Sequence, residues 1–185
     1  MLVGHPGARN STPESSKPAP RPAVLTPQFD SIEQHLGELT GLPRWVLWKM
    51  AWRQGRWTKP PCTPAGRSAS VEVPDTWSSY SDCKAAYEAG GHDFAGVGIV
   101  LDGSDDLVAV DLDKCLVDGI TTAWATEALE LLDPSYREVS PSGTGVRAFV
   151  RGKLPRPGMR VGGLELYSAS RFMTVTGRLL PGVNA

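Results

Sequence analysis

Long apolar runs are missing from this 185-residue chain. None approaches the roughly 18–20 residues that a membrane-spanning helix needs, so a helical span is excluded and no membrane is expected among the partners. The opening stretch MLVGHPGARNSTPESS lacks the apolar centre of a secretory signal. Cysteine is scarce. Cys62, Cys83 and Cys115 are widely spaced and odd in number. With no Cys-x-x-Cys pair, a disulfide scaffold and a zinc ribbon are both poor readings, and free thiols in a reducing cytoplasm are expected. Histidine is as sparse: His5, His35 and His92 are scattered and suggest no shared chemistry. Excess charge of one sign is also absent. Nineteen Lys and Arg face twenty Asp and Glu, so overall charge is no argument for a nucleic-acid partner.

The distribution of charge is a different matter. Residues 41–67 hold six bases and no acid, residues 101–133 nine acids and one base, and residues 136–178 eight bases and two acids. Two basic blocks therefore flank an acidic one. That layout suits an acidic metal site between surfaces for phosphates, although ordinary solvated surface has the same look. The hydrophobic fraction of 41% is enough for one core.

Residues 1–26 are rich in Pro, Ser and small residues and read as a disordered tail, leaving residues 27–185 as one domain. The pattern predicts a short helix from Asp30 or Ser31 to about Glu38, and a strand over Arg44–Arg53. A Pro/Gly loop is expected over Gln54–Arg67, and a helix from Asp75 or Ser78 to about Glu88. Gly96–Leu101 and Asp106–Asp113 read as a hairpin about the Asp102-Gly-Ser-Asp105 turn. A helix is expected over Ile120–Leu132, then strands near Tyr136–Ser140, Val146–Arg151, Leu164–Tyr167 and Phe172–Val175. This order predicts an α+β domain with a mainly antiparallel sheet and flanking helices.

Three places carry chemistry. In Leu107-Val-Ala-Val-Asp-Leu-Asp113, residues i and i+2 share a face, so Asp111 and Asp113 point together while Val108, Val110 and Leu112 point into a core. Paired carboxylates repel each other unless a cation such as Mg²⁺ or Mn²⁺ sits between them; an exposed Asp-x-Asp in a turn is the plain alternative. The loop Ser140-Pro-Ser-Gly-Thr-Gly145 can offer N–H groups and hydroxyls to phosphate through Ser142 and Gly143, with Arg147 emerging beside it as a phosphate grip; alone, it equally fits a hairpin turn. Glu165, among apolar strand residues, is a candidate third carboxylate or a solvent-facing one, and Arg171 opens the next strand near it. Upstream, Trp45, Trp48, Trp52 and Trp57 interleave with cations, a pattern that suits single-stranded nucleic acid. The tryptophans fit a core better, which leaves Lys59 and Arg56 as the ligand candidates.

Four stretches taken in order resemble the archaeo-eukaryotic primase superfamily, in particular the primase-polymerase domains of phage and plasmid replication proteins. They are Trp57-Thr-Lys-Pro-Pro-Cys-Thr-Pro; Gly96-Val-Gly-Ile-Val, leading to Asp111-Leu-Asp113; Glu138-Val-Ser-Pro-Ser-Gly-Thr-Gly145; and Glu165-Leu-Tyr with Arg171-Phe-Met-Thr-Val-Thr-Gly177. The resemblance implies a primase-polymerase fold with an RRM-like catalytic core and two-metal nucleotidyl transfer. Asp111, Asp113 and Glu165 would be the catalytic metal ligands for Mg²⁺ or Mn²⁺. Ser142, Gly143, Arg147, Arg171 and Lys59 would bind the nucleotide. A DNA template and primer, nucleoside triphosphates and a helicase in cis or in trans are the implied partners. Where the family usually has histidine, two residues after the last loop glycine, this chain has Arg147, which cannot act as a neutral base. The family also usually continues into an accessory helical region. Both departures keep a non-catalytic nucleotide- or DNA-binding module open as the alternative. A metal-dependent nuclease ranks lower, because Leu166 and Tyr167 follow Glu165 where such enzymes commonly place a lysine.

Overall fold

The computed structural model describes residues 19–132 and 135–181. Helices α1 (Phe29–His35) and α2 (Gly37–Thr40) precede strand β1 (Trp45–Trp48). A ribbon of β2 (Ala51–Arg53) and β3 (Arg56–Thr58), a short β4 (Pro61–Cys62) and helix α3 (Tyr80–Ala89) come next. Strands β5 (Gly96–Asp102) and β6 (Leu107–Leu112) lead to a second ribbon, β7 (Leu116–Val117) and β8 (Ile120–Thr121), and to helix α4 (Ala123–Glu130). The chain closes with β9 (Tyr136–Val139), β10 (Val146–Arg151), β11 (Gly158–Val161), β12 (Leu164–Tyr167) and β13 (Ala169–Val175). This is the α+β class expected, and every strand pairing is antiparallel.

The strands divide between a four-stranded sheet, β13-β5-β1-β4, and a five-stranded sheet, β11-β12-β6-β10-β9. The hairpin expected between β5 and β6 does not form, because the two strands belong to different sheets. The Asp102–Asp106 segment carries the chain from one sheet to the other. The cause is Arg44, 4% exposed, whose guanidinium pairs with both Asp102 and Asp105 and draws the segment inward. The Asp/Gly signal for a tight turn was real, but a buried cation upstream decided what the turn connects. The return crossing, from β12 to β13, lies alongside, with Ala169 in register with Asp102.

Strand β6 alternates between two cores. Leu107 and Ala109 pack with Phe149, the face of β5 and helices α1–α3. Val108, Val110 and Leu112 pack with Val146, Ala148 and the Ala125/Leu129 face of α4. Both faces of a central strand are thus covered, and only its last inward position, Asp111, is polar.

Other boundaries shift for local reasons. The first helix breaks at Leu36 into α1 and α2. The strand expected over Arg44–Arg53 splits at Lys49-Met50 into β1 and β2. The loop expected over Gln54–Arg67 contains β3 and β4; Pro61 is tolerated because β4 lies at a sheet edge. Helix α4 begins at Ala123 because Ile120–Thr121 pairs back on β7. Strand β11 follows Arg156-Pro157 and reads as loop in the sequence. Of the expected tail, residues 1–18 lie outside the described residues. Residues 19–26 have no regular structure but are tied down: Trp57 Nε1 donates to the Ala19 carbonyl at 2.9 Å and Leu25 N–H to the Pro141 carbonyl at 2.8 Å.

Candidate active site

Side chains directly opposite one another in antiparallel strands share a face. Across the five-stranded sheet one such row is charged from edge to edge. Glu138 on β9 is in register with Arg147 on β10, Arg147 with Asp111 on β6, Asp111 with Glu165 on β12, and Glu165 with Arg160 on β11. The signs run minus, plus, minus, minus, plus. Most of the row is buried: Glu138 is 0% exposed, Glu165 6% and Arg147 7%.

Each buried member is held by several partners. Arg147 donates through Nε to Asp111 Oδ1 at 3.2 Å. Through Nη1 it donates to the Thr174 carbonyl at 2.9 Å and to the Thr174 hydroxyl, on edge strand β13. Its Nη2 has no partner among the described residues. Glu138 accepts from the Tyr136 hydroxyl at 2.8 Å and from the backbone N–H groups of Thr176 and Gly177. Burial pushes its carboxyl above the ordinary range, opposed by these donors and by the charge of Arg147. Glu165 Oε2 accepts from the Tyr167 hydroxyl at 2.5 Å, and Oε1 lies 3.0 Å from Arg160 Nε.

Asp113 leaves the end of β6 exposed. Its carboxyl is raised by partial burial and then by the charges of Asp111 and Glu165, with Arg147 and Arg160 opposing. Asp113 therefore senses the charge of both Asp111 and Glu165. Arg171 is re-aimed by a β-bulge between Ala169 and Arg171, where Ser170 takes φ 53°. Its Nη2 reaches the Tyr167 hydroxyl at 3.0 Å and Glu165 Oε2 at 3.8 Å, over the Tyr167 ring. Lys59 follows β3 and lies 5.8 Å from the Trp48 ring centroid. Burial and then the charge of Arg147 lower its pKa, while Asp111 and Asp113 oppose that shift.

A cleft of about 540 Å³ brings together Lys59, Asp111, Arg147, Tyr167, Arg171 and Thr174. Four of the residues singled out in the sequence thus line one cavity, with Glu165 bonded to its wall. Ser142 and Gly143 do not line it. They are exposed on the loop between β9 and β10, at the end of the sheet where Asp113 emerges. That loop closes on itself. Ser140 Oγ, Ser142 Oγ and Thr144 Oγ1 form a chain of 3.0 Å contacts, and Gly143 N–H donates to the Ser140 carbonyl. Gly145 is required for close approach, since a Cβ there would stand 2.6 Å from the Leu112 carbonyl oxygen. Of the four tryptophans, Trp45 and Trp48 are buried in the core. Trp52 and Trp57 pair edge-to-face on the first ribbon, 5.6 Å apart.

Glu138, Arg160 and Tyr167 were not singled out by sequence reasoning. Glu138 and Tyr167 lie inside quoted motifs, and period-2 alternation puts them on the faces of Tyr136 and Glu165. Arg160 had no such signal, because its segment reads as loop.

The donor set fits a hard divalent cation in chemistry, being all carboxylate oxygen and mutually repelling. Among the described residues no three carboxylate, imidazole or thiolate groups stand close enough to cage an ion as the side chains lie. Glu165 is itself buried and is engaged by Arg160 and Arg171, whose side chains are 66% and 53% exposed.

Asp111 thus lines one cleft together with three cations, Lys59, Arg147 and Arg171. No family model matches the chain. It is 35% identical over 153 residues, 78% of its length, to the DNA primase-polymerase of Nitratiruptor phage NrS-1. The chain belongs to the primase-polymerase family. It spans about a fifth of the length of that relative, 20%. No helix among the described residues is long and apolar enough to cross a membrane.

Proposed function

We propose that this chain is the nucleotidyl-transferring domain of a DNA primase-polymerase of a mobile element, extending a nucleic-acid 3′-hydroxyl with nucleoside triphosphates on a DNA template. The observation that supports it is the charged row through Asp111. It sets Asp111 beside Glu165, and Asp111 lines a cleft whose other charged groups, Lys59, Arg147 and Arg171, are cations. In this reading the five-stranded sheet is the RRM-like catalytic core, and Asp111, Asp113 and Glu165 hold two Mg²⁺ or Mn²⁺ ions. Bound there, such ions would supply Lewis-acid charge to the phosphoryl oxygens and favour the ionised 3′-hydroxyl.

The chain's own side chains do the rest. Arg147 presents its free Nη2 to the triphosphate from a guanidinium already fixed by Asp111 and Thr174, so little entropy is lost on binding. Arg171 leaves Glu165 to pair with phosphate when a cation takes that carboxylate. Lys59 lines the same cleft and adds a further positive charge for the triphosphate. Ser142 and Gly143 open their hydroxyl and N–H groups to the phosphates at the Asp113 end. A helicase acts in cis or in trans.

One observation favours a second reading, a nucleotide- or DNA-binding domain without transfer: arginines engage both Asp111 and Glu165. Primer extension on a primed DNA template with Mg²⁺ or Mn²⁺ separates the two. Extension by the wild type that falls at least a hundredfold in Asp111→Asn supports transfer. Nucleotide binding without extension supports the second reading.

A further inference from the structure

We propose that the β2–β3 ribbon is a clamp for the phosphate backbone of the template strand, feeding the Asp111 cleft. This rests on the function proposed above and names the partner surface of that same site.

The ribbon is built against its own interest. Arg53 and Arg56 are directly opposite in register, and like charges facing across an antiparallel pair are destabilising. Both are exposed, and neither makes an ion pair or hydrogen bond among the described residues. No acid occurs anywhere from residue 41 to 67, so nothing nearby in the chain relieves the repulsion. Gln54 and Gly55, at φ 50° and 74°, make the tight turn that puts the two arginines at the ribbon's tip. The next rung, Trp52 with Trp57, lies on the opposite face. It stiffens the ribbon by an edge-to-face contact and is tied to Ala19 through Trp57 Nε1.

On the arginine side is a concavity of about 700 Å³ lined by Arg53, Gln54, Arg56, Thr58, Lys59 and Pro60. Lys59 also lines the cleft that holds Asp111 and Arg147. One cationic track therefore runs from the ribbon tip into the cleft. A regularly spaced polyanion fits such a track and relieves the Arg53–Arg56 repulsion. A single triphosphate confined to the cleft would not reach the tip.

The test is fluorescence anisotropy of a labelled, primed single-stranded DNA template, titrated with wild type, Arg53→Ala/Arg56→Ala and Arg53→Lys/Arg56→Lys at several salt concentrations. Single strands lose about 0.7 of log–log salt slope for each phosphate contact removed. The alanine pair is expected to lower the slope by about 1.4, which is about 25-fold weaker binding at 0.1 M salt. The lysine pair should stay near wild type. The nucleotide KM in primer extension should not change. Wild-type protein that extends primers, with DNA affinity and slope unchanged in the alanine pair, overturns the ribbon's role alone. A raised nucleotide KM with unchanged DNA affinity also overturns it, by assigning the ribbon to the triphosphate. Wild-type protein that neither binds nor extends the primed template overturns the proposed function and the clamp together.

Discussion

Replacing Arg147 by methionine tests how the charged row holds together. The substitution keeps much of the apolar stem and removes the one cation between two carboxylates. Glu138 is 0% exposed and in register with that cation, and Asp111 loses its 3.2 Å partner. Removing one partner of a buried pair costs about 3–5 kcal/mol, because the remaining charge is left uncompensated. For a chain of this size each kcal/mol is about 2–4 °C in Tm, so Arg147→Met should melt about 6–20 °C below wild type at pH 7. The loss should depend on pH in a stated direction. Burial already raises the Glu138 carboxyl and Arg147 opposes that shift; without the arginine it rises further. A carboxyl raised in the folded state is disfavoured when ionised, so the variant loses stability relative to wild type as pH rises through that range. As pH falls and Glu138 takes up its proton, the gap narrows. Glu138→Gln introduced into Arg147→Met should recover part of the loss at pH 7. Thermal melts followed by circular dichroism between pH 5 and 8 check this. A variant within about 1 kcal/mol of wild type at pH 7, or a deficit unchanged down to pH 5, would refute the coupling of these residues.

Arg44→Met should destabilise by about 3–5 kcal/mol in chemical denaturation, because Asp102 and Asp105 lose the buried cation that pins the sheet-to-sheet crossing; a change below 1 kcal/mol would show that the crossing does not depend on it. Cys62 and Cys83, pushed by burial to about 11 and 12, and the buried Cys115 should resist a thiol reagent at pH 8 until denaturant is added, after which three thiols should be counted. Rapid labelling of the native protein would contradict that burial. Gly145→Ala forces a Cβ against the Leu112 carbonyl and should lower stability by about 1–3 kcal/mol, with an unchanged melting curve as the contrary result.

Much of the site was legible because strand periodicity is local. Asp111 sharing a side with Leu107 and Ala109, and Glu165 alternating with Leu164 and Leu166, follow from period 2 alone. Register is not local, so the alignment of Glu138, Arg147, Asp111, Glu165 and Arg160 in one row could not be seen before the strands were paired. The same limit explains the β5–β6 turn. Its residues favour a hairpin, while the decisive contact comes from Arg44, 58 residues before Asp102. Lys59 was found through its place in a loop, but its convergence on Asp111 depends on β4 packing at the sheet edge.

The most direct measurement of the central claim is a manganese titration followed by electron paramagnetic resonance, with nucleoside triphosphate present. Wild type is compared with Asp111→Asn and Glu165→Gln. If these carboxylates hold the ions for nucleotidyl transfer, wild type should take up Mn²⁺ together with nucleotide, and each variant should bind it at least tenfold more weakly. Equal Mn²⁺ uptake by all three proteins would contradict the placement of the metal site on β6 and β12.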